Sequence, residues 1–286
     1  MKLFFSIFLS LTSFVSFAQS NTTGGQYYFN KYIANPAFAG EDDGMSIFLG
    51  IRKQMAGIPG SPQDYSINGQ YRTGKVGLGF NYYSEKTGIL RQSKALLTYA
   101  YHLNLNGYNQ LHFGVSAGVN YDKILKQDLI GNPNDPTLNQ NDIDRTKLNG
   151  DFGMAFTNNE LTVQVSLPNL NSLFNNNQNQ FAFTEQFMGA IAYKLNTNDV
   201  QIEPRVGVRT FRKVDNFYDF GARFGFLENK LNFMGMYHSS NAASFGLGTL
   251  TFNNKLAIQA IYTTETGQIK TNSNGNFELN LKYHLF

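Results

Sequence analysis

From Met45 onward, apolar residues recur at every second position. Leu111, Phe113, Val115, Ala117, Val119 and Tyr121 alternate with His112, Gly114, Ser116, Gly118 and Asn120. One face is therefore apolar and the other small or polar. The same alternation runs through Val76, Leu78, Phe80 and Tyr82, through Leu161, Val163, Val165 and Leu167, and through Phe277, Leu279, Leu281, Tyr283 and Leu285. A period of two marks strands with one face in an apolar medium and the other in a wet or closely packed one. Fourteen such segments are predicted, at about 45–56, 62–73, 74–84, 89–105, 108–123, 147–157, 160–168, 183–195, 199–212, 216–227, 230–238, 242–252, 255–265 and 276–286.

The connections alternate in length. After even-numbered segments they are tight, as in Thr73-Gly74-Lys75, Asn106-Gly107, Asn158-Asn159, Asn196-Thr197-Asn198-Asp199, Glu228-Asn229 and Asn253-Asn254. Asn-Gly is a strong hairpin signal because both residues tolerate positive φ. After odd-numbered segments they are mostly longer, above all Ile124–Thr146, Pro168–Ala182 and Thr264–Gly275, with Ser239–Ala242 an exception. Short turns on one rim and long loops on the other are the plan of an outer-membrane barrel, whose closure pairs every backbone group as the bilayer demands. The predicted fold is all-β: a transmembrane barrel of about 14 antiparallel strands, both ends on the short-turn side. A soluble sandwich or lipocalin-like barrel would set Lys and Glu on its polar faces. Here those faces carry Gly, Ser and Asn, which suit a lumen.

The start of the chain reads as an address. Met1-Lys2 is basic, Leu3 to Phe17 is apolar but too short to span, and Ala18 ends a loose cleavage site. Residues 1–18 are thus expected to be a signal peptide, the alternative being an N-terminal anchor. Residues 19–44 form a periplasmic or plug segment, and residues 45–286 the barrel. Gln26–Ala34 has the composition for two helical turns before Asn35-Pro36 stops them.

Composition narrows the chemistry. Cys 0 removes disulfides, thiol nucleophiles and Cys-ligated metals. A net charge of +3, dispersed along the chain, argues against nucleic acid as a partner. His102, His112, His238 and His284 fall on four different strands without metal-ligand spacing and read as lumen or rim residues. Asp135, Asp142 and Asp144, with Asn139 and Asn141, make a loop calcium site conceivable, but their order departs from the standard twelve-residue loop. No catalytic motif is present, and no cofactor is expected. One charged constellation stands out: Glu203, Arg205 and Arg209 alternate with Ile202, Val206 and Val208, while Asp219 and Arg223 alternate with Phe220, Ala222 and Phe224. On adjacent strands these five form a lumen charge ladder, either stiffening the wall or touching a partner.

The block Asn35-Pro36-Ala37-Phe38-Ala39-Gly40, preceded by Gln26-Tyr27-Tyr28-Phe29-Asn30 and followed by Arg52-Lys53-Gln54, resembles the opening of the PorP/SprF family of the Bacteroidota type IX secretion system. Met55 stands where the family usually has Trp, and Gln63-Asp64 where Thr is common. Lys75–Phe80, Ile202-Glu203-Pro204 and Phe277–Tyr283 are looser matches. The resemblance implies an outer-membrane protein, embedded in lipid, that supports secretion or surface attachment of a partner. The implied partners are secreted cargo with a C-terminal sorting domain, in some members a gliding adhesin, and periplasmic type IX components. The long loops would then present the docking surface. Two other readings stand beside it: a passive porin for small solutes, whose lumen inward Arg residues and the N-terminal segment would obstruct, and a soluble exported binding module.

Overall fold

The computed structural model describes residues 25–125, 144–174, 185–211, 215–265 and 274–286. The strands are Gly44–Lys53, Gln63–Thr73, Val76–Thr87, Leu90–Asn104, Gln110–Ile124, Asp144–Thr157, Leu161–Leu167, Glu185–Tyr193, Val200–Phe211, Phe217–Phe226, Leu231–His238, Ala242–Thr251, Leu256–Glu265 and Asn276–His284. Each pairs antiparallel with its neighbour in the chain, and the two-residue strand Leu195–Asn196 continues the eighth along Val200–Phe211. The last strand pairs with the first, Ile51 opposite Leu279, which closes a 14-stranded barrel.

The predicted segments and the observed strands agree except at their ends. The first strand stops at Lys53 because Met55 takes φ 42 and turns the chain. The third starts at Val76, after Gly74 at φ 57, and runs on to Thr87 through Ser84-Glu85-Lys86. Alternation is silent there because both faces are polar, while the ladder with Leu90–Asn104 continues to Thr87↔Leu90. The signal peptide, calcium candidates Asp135, Asn139, Asn141 and Asp142, and most of the long loops lie outside the described residues; Asp144 opens the strand Asp144–Thr157.

The wall has two distinct faces. Leu97, Val115, Leu148, Val206, Phe220, Leu247 and Leu279 point outward and are exposed, whereas Ser66, Asn68, Thr98, Ser116, Gln164, Ser244 and Asn280 point inward and are buried. An apolar exterior around a polar interior is the pattern that a bilayer selects. Among the described residues no helix is long and apolar enough to cross a membrane.

What buries the inner face is the chain's own segment Gly25–Gly40. It is folded as a one-turn helix Gln26–Phe29 and two 3₁₀ turns, Lys31–Ile33 and Pro36–Phe38. Two apolar clusters hold it. Tyr27 and Tyr28 pack with Met188, Met234, Met236 and Ile261. Tyr32, Ala37, Phe38 and Ala39 pack with Ala100 and Ala155. Each fully buried aromatic of this kind contributes about 2–3 kcal/mol. Gly40 and Gly44, at φ 70 and φ 80, supply the left-handed backbone that turns the segment into the first strand.

Candidate functional site

The local folding of the segment follows from its two capping asparagines. Asn30 accepts from the Tyr32 N–H at 3.2 Å, and Asn35 accepts from the Ala37 N–H at 3.0 Å, with Pro36 at the first position of its turn. Such N-caps satisfy donors that short turns leave open. Asn35 has a second task. Its amide Nδ2 donates to the Met154 carbonyl at 3.2 Å, the Val165 carbonyl at 3.1 Å and Gln164 Oε1 at 3.3 Å, joining the segment to two neighbouring strands.

The wall beneath is hollowed to receive it. A Cβ at Gly77 would lie 1.8 Å from the Ala39 carbonyl oxygen, at Gly79 2.3 Å from Tyr32 Oη, at Gly114 2.2 Å from the Pro36 carbonyl carbon, and at Gly153 1.9 Å from Asn35 Oδ1. These four inward glycines, two on the strand Val76–Thr87 and one each on Gln110–Ile124 and Asp144–Thr157, form a cradle that any side chain would fill. All of Asn35, Pro36, Ala37, Phe38, Ala39 and Gly40 are buried in it. Arg52 and Gln54 are buried too, but elsewhere: both donate to Asp64 Oδ2 towards the long-loop rim, Gln54 at 3.0 Å. Met55 follows in the turn, its backbone N–H donating to Asn276 Oδ1 at 2.7 Å.

The charged ladder meets the other end of the segment. Arg209 donates to Asp219 from Nε at 2.9 Å and from a terminal nitrogen at 3.1 Å, a two-pronged pair with both side chains buried. His238 Nδ1 lies 2.6 Å from the same carboxylate and passes the network on to Ser244 at 2.8 Å. Arg223 faces Glu203 directly across the ladder, with 3.3 Å between the charged groups. Arg205 lies 3.9 Å from Glu203, stacks on the Tyr28 ring at 4.4 Å and donates to the Tyr27 carbonyl at 3.4 Å. Tyr27 Oη donates to Asp219 at 2.9 Å and Tyr28 Oη to the Glu203 carbonyl at 2.9 Å. The five residues therefore form two groups, Arg209 with Asp219 and both Arg205 and Arg223 with Glu203, which Tyr27 bridges and which grip the segment through its tyrosines. Burial weakens the acidity of these phenols, Tyr28 being pushed up to about 12, so they stay neutral donors at physiological pH.

Three groupings escape a reading of local pattern. His102 and His112 face each other across a hairpin with Nδ1 atoms 2.6 Å apart, and His102 Nε2 meets the Ala39 carbonyl at 3.0 Å. The signal for that pair was the Asn106-Gly107 turn, whose register places 102 opposite 112. Lys94 holds Asp151 at 2.9 Å, and Asp151 in turn accepts from the Asn169 N–H at 2.9 Å. The inward carboxylate Glu278 accepts from the Gly25 N–H at 3.0 Å, a third grip on the segment. Among the described residues no group of three His, Asp or Glu is placed to hold a metal ion.

Comparison with known proteins agrees with this architecture. The family model described as "Type IX secretion system membrane protein PorP/SprF" matches residues 16–283. No curated protein sequence matches the chain. Among solved structures, the Ralstonia pickettii toluene transporter TbuX is similar with a TM-score of 0.55 at 10% identity, covering 95% of this chain and 97% of that one. The Acinetobacter baumannii outer membrane protein Omp33 gives 0.51 at 10% identity over 86% and 100% of the two chains. The Pseudomonas putida toluene transporter TodX gives 0.51 at 8% identity over 88% and 93%. At such identities the likeness concerns the fold alone.

Proposed function

Because the chain belongs to the type IX secretion system membrane protein PorP/SprF family and is an outer-membrane β-barrel, we propose that it serves as a plugged docking barrel, attaching a secreted partner rather than conducting solutes. The observation that carries this reading is the filling of the lumen by residues Gly25–Gly40, tied at one end to Asp219, Glu203 and Glu278 and at the other to Met154, Val165 and Ala39's contact with His102. A barrel with its own chain packed against its inner wall is suited to presenting loops more than to passing small molecules. On this reading the docking surface is built from the segments around 124–146, 168–182 and 264–275. The partner is a secreted protein with a C-terminal sorting domain, a gliding adhesin being one such cargo, and periplasmic type IX components contact the short-turn rim. The role is non-catalytic.

The polar inner wall favours one alternative, a solute channel opened when the segment leaves. Affinity purification from native membranes in mild detergent, followed by mass spectrometry, separates the two. Recovery of a large secreted protein, lost when the long loops are shortened in a barrel that still folds, is the expected result. Recovery of the barrel alone, together with steady single-channel conductance, would overturn it in favour of the channel.

A further inference from the structure

The two halves of the lumen segment are seated differently. Residues 31–40 meet wall side chains that they satisfy. Gln70 Oε1 accepts from the Gly40 N–H at 3.0 Å, Tyr32 Oη lies 2.8 Å from Thr98 Oγ1, and Ser166 Oγ donates to the Ala34 carbonyl at 2.8 Å. Gln164 and His102 are likewise engaged, by Asn35 and by the Ala39 carbonyl. Together with the glycine cradle, these bonds leave the second half no looser fit to find. Asn30, extended at φ −125 and ψ 98, separates it from the one-turn helix before it. The Asn30 side chain is itself pinned to the wall, donating to Asn68 Oδ1 at 2.9 Å.

Around residues 25–29 the wall is left unpaired. Asn280 is fully buried, and neither its Nδ2 nor its Oδ1 has a hydrogen-bond partner. It flanks Gly50 together with Ser66, whose hydroxyl donates to Gln26 at 3.2 Å. Gln259 stands directly opposite Asn280; its Oε1 has no partner, and its Nε2 has the Met234 sulfur at 3.7 Å. Arg205, stacked on Tyr28, gives one terminal nitrogen to the Tyr27 carbonyl, while its Nε and its other terminal nitrogen make no hydrogen bond. Two atoms on Asn280, one on Gln259 and two on Arg205 are thus buried without hydrogen bonds. A polar atom so buried forfeits the bonds that water would give it. Lifting the first half returns these atoms to solvent, so the side chains favour the uncovered state over apolar ones of the same size. Gly25 lies at Glu278, near the long-loop end of the last strand, and Gly40 at Gln70, near the short turns. The loosely paired half is therefore the outer one.

We propose that residues 25–29 are a releasable latch, hinged at Asn30, which lifts from Arg205, Gln259 and Asn280 while residues 31–40 stay seated. The outer half of the lumen then has a covered and an uncovered state. Tyr27 and Tyr28 hold the covered state through their hydroxyls and the methionine cluster, and the unpaired amides and guanidinium oppose it. The two states are close in free energy because these contributions offset one another. The latch stands whichever partner the loops attach.

With Cys 0 in the chain, a single introduced cysteine reports exposure without background. The test is the rate of maleimide labelling of the full-length barrel in mild detergent at Gln26→Cys and at Ala37→Cys, two buried positions on either side of the hinge. Labelling at 26 is expected to be about a hundredfold faster than at 37, since local opening frees one half alone. Adding Asn280→Leu or Gln259→Met to the Gln26→Cys barrel should slow labelling about tenfold, because an apolar side chain of similar volume removes the unpaired atoms and keeps the packing. Equal rates at the two positions, or labelling that neither replacement slows, would overturn the latch. Should these variants not fold, hydrogen exchange of the unaltered barrel decides. The Tyr28 and Asn30 amides, bonded to the Gly25 and Gln26 carbonyls, should exchange far faster than the Phe38 and Ala39 amides, bonded to the Asn35 and Pro36 carbonyls. Equal protection of the two sets overturns the proposal.

Discussion

Tyr27 donates to Asp219 at 2.9 Å although 192 positions separate them in the chain. The bond joins the N-terminal end of the lumen segment to a carboxylate that Arg209 and His238 already hold. Tyr27→Phe removes one hydrogen bond to a charged acceptor, worth about 1.5–3 kcal/mol, and leaves the carboxylate its other donors. Asp219→Ala removes the two-pronged carboxylate partner of the buried Arg209 guanidinium and should cost about 3–5 kcal/mol. Hydrogen exchange should therefore show faster exchange confined to residues near Gln26–Phe29 in Tyr27→Phe, while Asp219→Ala lowers the heat stability of the whole barrel. Equal and global losses in both would mean that the segment and wall are one cooperative unit.

A glycine cradle makes a steric prediction. Gly114→Val places a side chain where Pro36 now lies, since the first atom alone would sit 2.2 Å from its carbonyl carbon. Closed strands yield less readily than a segment held at its ends, so Asn35–Ala39 should leave its seat and the barrel persist. Planar-bilayer recordings should then find conductance in Gly114→Val that the wild type lacks. Gly235→Ala, with nothing within 4 Å of the added atom, serves as the silent comparison. Silent recordings from both variants would show that the strands themselves give way instead.

The fourteen strands were legible because bilayer and lumen impose opposite chemistry on alternate residues, and a strand reports that directly. The ladder of Glu203, Arg205, Arg209, Asp219 and Arg223 was legible for the same reason: five charges on inward positions of adjacent strands have few places to go. The tyrosine contacts were not. Nothing near Tyr27 or Tyr28 in sequence names Asp219 or Arg205, and only closure of the barrel brings them together. The third strand's extension to Thr87 was missed because polar residues on both faces erase the alternation above the apolar band.

The same ladder can be tested by removing its cations. Arg205→Ala with Arg223→Ala takes both ion-pair partners from the inward carboxylate Glu203 and the stacking partner from Tyr28. Leaving a buried charge without partners costs about 3–5 kcal/mol. The heat-induced mobility shift of the folded barrel in gel electrophoresis should accordingly occur at lower temperature. An unchanged shift with lost cargo attachment would instead assign these arginines to partner contact.

Alkali should loosen the segment through its phenols. Burial raises the Tyr28 phenol from 10 to about 12, with Arg205 opposing and Glu203 adding to the rise, and Tyr27 is likewise raised, by burial and by Asp219. A group whose acidity is weakened in the seated state favours seating fully below pH 10. That preference drains away as pH climbs from 10 through 12, because the released segment loses its phenolic protons first. Tyrosinate absorbance and bilayer conductance, followed together, should therefore rise in the same interval. Tyr27→Phe combined with Tyr28→Phe removes the ionisable groups, and its conductance should stay flat across that window even if its baseline is higher. A rise of equal size in the double variant would assign the alkaline opening to lysines of the wall and not to the segment.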